Sequence, residues 1–103
     1  MLSSISIDNR IPAMGLVERW VKNELYKRRH KTKGRVKFDK NLIHSVHESK
    51  GYVYIDLMIL NYAYDQPVIV NVRVSGRRIE IFDGELWEEM DSTSFWFEVM
   101  GWR

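Results

Sequence analysis

Cysteine is missing from all 103 residues. Disulfide staples, thiolate metal sites and cysteine nucleophiles are excluded together, and the chain reads as a cytoplasmic protein. Long apolar runs are missing too. The longest, Leu57-Met58-Ile59-Leu60, falls far short of the ~20 residues that a membrane helix needs. The opening Met1 to Asp8 has neither a basic start nor an extended apolar stretch, so no export signal and no membrane partner are expected. Gly-rich phosphate loops of the Walker or dinucleotide kind and the Gly-x-Ser-x-Gly elbow are absent as well. No small-molecule cofactor is implied. Of the three histidines, His44 and His47 stand three apart. On a strand that spacing points them to opposite faces, so they form no metal pair, and one surface and one half-buried histidine are expected.

What is present is enough for one domain. Residues 1–103 are 45% hydrophobic, an ordinary globular fraction. A chain of this length buries roughly two thirds of its unfolded surface. No repeat, low-complexity segment or linker divides it.

Charge is the most informative property. The net charge is only +2, but it is unevenly spread. Through Lys37 there are ten Lys and Arg against Asp8, Glu18 and Glu24, a net of +7. From Phe38 onward six Lys and Arg face eleven acidic residues, a net of −5. A basic first third points to an anionic partner, and an acidic remainder to a basic partner or an internal complement. The acidic set Glu85, Glu88, Glu89 and Asp91 reads as a solvated rim.

Hydrophobic periodicity predicts one helix followed by strands. Pro12 suits a first helical turn. Met14, Val17, Val21 and Leu25 then recur at three and four, with Leu16 and Trp20 widening the stripe, giving an amphipathic helix over about Ala13 to His30 that Gly34 can end. Val36 to His47 alternates loosely, with Leu42, His44 and Val46 on one face and Ile43, Ser45 and His47 on the other. Glu48-Ser49-Lys50-Gly51 makes a turn into Tyr52 to Tyr62, where Val53, Ile55, Leu57 and Ile59 share a face. After the break at Asp65-Gln66-Pro67, Val68, Val70, Val72 and Val74 line one side of a strand. Ser75-Gly76-Arg77 turns it into Arg78 to Phe82. Glu85 to Met90 reads as a short strand or one helical turn, and Phe95 to Val99 as a closing strand. The expected fold is α+β, an N-terminal amphipathic helix packed on an antiparallel meander of four to five strands.

The residues that point to function are cations and aromatics. Lys27, Arg28, Arg29, Lys31, Lys33, Arg35 and Lys37 place seven cations in eleven positions. That density exceeds what capping a helix dipole needs, and phosphate contacts from such a tract give salt-sensitive, sequence-independent affinity. Tyr52 and Tyr54 fall opposite the Val53/Ile55 face. If that face packs on the helix, they point outward to stack a base or fill a protein interface, and a free sheet face and edge also suit a homodimer. Asp39, Glu48 and Lys50 match the carboxylate and Glu-x-Lys spacing of restriction-like nucleases, but Glu48 and Lys50 fall in a turn, where they cannot converge rigidly on Mg²⁺. No convergent catalytic set is left.

Two resemblances follow. A helix, a strand, the valine-rich strand turning through Ser75-Gly76-Arg77-Arg78 into Ile79-Glu80-Ile81, the Asp83-Gly84-Glu85 turn and a closing apolar strand before Gly101 are similar in order to the XisI family, small controlling factors for DNA-element excision in cyanobacteria. The likeness runs from about Ala13 to Gly101 with identities centred on the hairpin. It implies a non-enzymatic accessory protein of a mobile element or phage. Arg77-Arg78-Ile79-Glu80-Ile81 and Phe97-Glu98-Val99-Met100-Gly101-Trp102-Arg103 resemble the last strands of RelE-type ribonuclease toxins. That likeness implies Arg77, Arg78 or Arg103 stabilising phosphorane charge, with Glu80 or a histidine moving protons. An inhibitor or immunity protein whose acidic tail mimics nucleic acid, with one protein partner, is the third reading.

Overall fold

A computed structural model describes residues 9–38, 43–62 and 66–101. The fold is α+β, with helices on one face of an antiparallel sheet.

Helix α1 spans Arg10–Lys27, three residues earlier at each end than the periodicity predicts. Pro12 still lies in the first turn, where its missing N–H has no helical acceptor to lose. Ala13, Val17 and Val21 form its buried line, flanked by half-buried Met14, Leu16, Trp20 and Leu25. Beyond a break at Arg28 a single turn, α2 (Arg29–Thr32), ends on Lys33 in the left-handed region at φ 56°.

The sheet occupies residues 36–89. Strand β1 (Val36–Lys37) is short, and β2 is Ile43–Ser49. A two-residue turn with Lys50 at φ 52° and Gly51 at φ 84° leads into β3 (Tyr52–Asn61). Positive φ at both central positions is the hairpin turn whose twist matches its strands. Strand β4 is Val68–Ser75, β5 is Arg78–Phe82 and β6 is Trp87–Glu89. All neighbours are antiparallel, in the order β1-β3-β4-β5-β6, with β2 pairing β3. β1 therefore borders the last residues of β3 while β2 borders its first part.

Strand alternation decides which face is covered. Val53, Ile55, Leu57 and Ile59 of β3, Val70, Val72 and Val74 of β4, and Ile79 and Ile81 of β5 are buried beneath the helices. In β2 the expected alternation slips. An irregularity between Ile43 and Ser45 sets Ile43 opposite core-facing Leu57 and Ser45 opposite Asp56, so Ile43 joins Val46 against the core instead of sharing a face with Ser45. A one-residue bulge reverses every side chain before it. Leu42 and Asp39 lie outside the described residues, as does the side chain of His44.

The closing segment is a correction. Phe95 to Val99 forms no strand: Ser92–Met100 is a helix, α3. Asp91 caps it, accepting from the Ser94 amide at 2.8 Å while Ser94 Oγ accepts from the Asp91 amide at 2.9 Å, and Gly101 ends it at φ 70°. This reciprocal cap outweighs the strand preference of aromatic and β-branched residues. Buried Phe95, Trp96 and Val99 then repeat at helical spacing. Phe95 meets Trp20 edge-on at 5.2 Å.

Glu24 joins the two long helices. Only 2% of it is exposed, and its Oε1 accepts from Trp96 Nε1 at 2.9 Å. Asp91→Ala removes the α3 cap and lowers unfolding free energy by about 1 kcal/mol, read as a shifted denaturant midpoint with an unchanged slope.

Candidate functional site: a basic shoulder and an open sheet face

The seven tract cations ride on four consecutive pieces of backbone, namely the end of α1, α2, the turn after it and β1. All seven are exposed. The support beneath them is folded. Thr32 is buried, its amide donates to Arg28 O at 2.9 Å, and Arg35 N donates to Thr32 O at 3.1 Å. Tyr62 N donates to Arg35 O at 2.8 Å, tying the shoulder to the end of β3. Lys27 Nζ and Arg28 Nε each lie 3.9 Å from the Glu24 carboxylate.

Two exposed tyrosines belong to this shoulder, and the sequence reading assigned neither to it. Tyr26 is 64% exposed and Tyr62 63%. The Arg29 guanidinium lies 3.9 Å from the Tyr26 ring centre and donates to Tyr26 O at 2.8 Å. Lys37 Nζ sits 5.6 Å from the Tyr62 ring centre. Tyr26 was legible as an aromatic off the buried line of α1. Tyr62 needed the β1–β3 pairing. A cleft of about 390 Å³ opens beside Tyr62, lined by Lys22, Leu25, Val36, Lys37, Phe38, Leu60 and Tyr62 itself.

Tyr52 and Tyr54 do face away from the helices. They lie on the other sheet face with His47, Arg73, Glu80, Phe82 and Trp87. There Arg73, with a 19% exposed side chain, bonds Glu80 Oε1 from Nε at 2.6 Å. Its guanidinium lies 4.1 Å from the Tyr52 ring centre and 4.6 Å from that of Trp87. Desolvation opposes the Arg73 charge, but bonding to Glu80 and Tyr54 and the negative Glu80 outweigh it and raise the pKa. His47 stacks on Tyr54 at 5.1 Å, and Arg78 Nη2 reaches Glu80 Oε2 at 3.3 Å. Among the described residues no helix packs on this face.

The two sets are separate. Tyr52 stands eight positions from Leu60, the partner of Lys37, about 26 Å along an extended strand. The acidic residues are remote as well. β1 and β6 occupy opposite edges with β3, β4 and β5 between them, so Glu88 and Glu89 stand about 19 Å from the β1 edge at ~4.8 Å per strand. That exceeds a Debye length of ~8 Å at physiological salt. Lys27 and Arg28 direct their carboxylate contacts to Glu24 of their own helix.

Of the ribonuclease-like residues, Arg78 and Glu80 pair on the open sheet face; of the nuclease-like ones, Glu48 lies in β2 and not in the turn expected for it. Glu48 accepts from Asn9 Nδ2 at 2.7 Å, Lys50 is in the hairpin turn, and Arg103 lies outside the described residues. Phe97 to Met100 is helical, unlike the strand expected there. Among the described residues no group of three metal-ligating side chains gathers, and no helix is long and apolar enough to cross a membrane. The chain matches no protein-family model, no curated protein and no solved structure.

At the acidic edge, amides of Leu86 and Glu85 hold Asp83 below the usual carboxylate range. Burial, aided by the charges of Asp83 and Glu88, pushes Glu98 up. A carboxyl whose folded pKa is raised stabilises below its unfolded pKa and loses that stability as pH rises through the folded value. Glu98→Gln therefore raises the melting temperature at neutral pH, and thermal scans show the gain disappearing below about pH 4.

Proposed function

We propose that this chain is a non-enzymatic binding module that contacts nucleic acid through the basic shoulder Lys27–Lys37, as an accessory protein of a mobile element or phage. The observation that carries the reading is the exposure of all seven tract cations on a hydrogen-bonded support. A tract kept open but held in shape meets a phosphate backbone with little ordering cost. The XisI resemblance implies an accessory role, although α3 stands where its closing strand was expected. Glu80 is already engaged by Arg73 and Arg78, which favours binding over RelE-like cleavage.

The protein is expected to be retained on heparin and to bind mixed oligonucleotides with affinity that falls steeply with salt. Reversing two exposed cations, Lys33→Glu with Arg35→Glu, weakens binding and flattens log K against log salt by about 1.4 on a single strand, at ~0.7 per phosphate contact. Unchanged mobility of DNA and RNA at ~50 mM salt removes this function.

A second reading rests on the uncovered sheet face. Tyr52, Tyr54 and Trp87 are fixed around Arg73 there, and Ile69 is 47% exposed. Rigid aromatics on an open face suit a protein interface, including one with a second copy. In sedimentation, a dimer through this face gives twice the 12.3 kDa chain mass and reverts to monomer in Ile69→Lys. An Ile69→Lys protein that sediments like the parent excludes this face as the interface. An inhibitor or immunity role through an acidic tail that mimics nucleic acid would instead give one tight heterologous complex and no polynucleotide binding.

A further inference from the structure

Phosphate contacts alone do not distinguish a duplex from a single strand. The shoulder carries more than charge. Tyr26 and Tyr62 are about two-thirds exposed and each has a cation over its ring. Neither ring is needed by the core: the buried line of α1 runs through Val17, Val21 and Glu24, and Tyr62 follows the last residue of β3. Tyr26 is four residues on from Lys22, which lines the cleft that reaches Tyr62, so the two share one side of α1.

Resting on the nucleic-acid reading above, we propose that the shoulder selects single-stranded nucleic acid, with bases stacking on Tyr26 and Tyr62. The cleft beside Tyr62, whose apolar wall is Leu25, Val36, Phe38 and Leu60, receives an unstacked base. Charge complementarity names the occupant, because the rings are set among Lys22, Arg29 and Lys37. A polyanion that also offers flat faces satisfies both features, and a duplex hides those faces in its own stack. Arg29 extends the Tyr26 platform, since a guanidinium plane also stacks on bases.

The test is fluorescence anisotropy with three labelled probes of equal length: oligothymidylate, an abasic strand with the same phosphates, and a duplex. Oligothymidylate is expected to bind tightest. Tyr26→Ala and Tyr62→Ala each weaken it by about fivefold or more and bring it towards the abasic strand, while the salt slope stays unchanged. Tyr62→Phe keeps the stacking face and the affinity. Circular dichroism and melting temperature stay at the parent values, since both side chains are exposed. Equal binding of oligothymidylate and the abasic strand, or parent-like affinity in both alanine variants, overturns the stacking while the tract reading stands. Failure of all three probes to bind the parent protein overturns both.

Discussion

A buried carboxylate cannot be left alone, and the packing of this protein is arranged around one. Removing Glu24 from water costs several kcal/mol, of the order known for ions in protein interiors, unless charge and hydrogen bonds compensate. Its compensation comes from both ends of the chain. Trp96, 72 residues away, donates its indole N–H, and Lys27 and Arg28 approach from the next helical turn. The bond from Trp96 requires α3 to lie beside α1 as a helix at this height. The two cations direct the start of the basic tract towards the same point. Among the described residues no buried side-chain polar atom lacks a partner, so Glu24 is a satisfied member of the core.

The one-sided cover follows from this. With α1 and α3 both committed to the Val53–Ile59 face of β3 and its neighbours, the opposite face must solve its own exposure. It does so with side chains, the Arg73–Glu80 pair and three aromatic rings packing over the strands. Arg73 here spreads over rings and shields them, as a planar guanidinium can and an ammonium cannot. The charge division along the sequence also becomes a division across space, with β1 on one edge and β6 on the other.

Most of the sheet was legible because β3, β4 and β5 alternate cleanly. Val68 to Val74 could take only one face, and the Ser75–Arg78 turn fixed its register. The misses have local causes. A bulge at His44 inverted Ile43, which alternation cannot foresee. Phe95 to Val99 has the composition of a strand, and the deciding residues were the capping pair Asp91 and Ser94 before it. Glu24 entered only as a charge, because its donor is remote in sequence. The tract cations were legible as a run, and Tyr52 and Tyr54 as an outward pair. That the two sets lie at opposite ends of β3, and that Tyr26 and Tyr62 accompany the cations instead, needed the strand pairing.

This exchange of partners changes the chemistry of the shoulder. A tract of cations far from any ring is a phosphate binder blind to strandedness. The same tract with exposed Tyr26 beside it and Tyr62 lining an adjoining cleft offers contacts that persist when salt has screened the charges. Arg29 shows the coupling directly, since one side chain both covers the Tyr26 ring and caps its carbonyl. The geometry costs the fold little, because the helix ends and the strand terminus that carry these residues lie outside the packed Val17–Ile55–Phe95 interior.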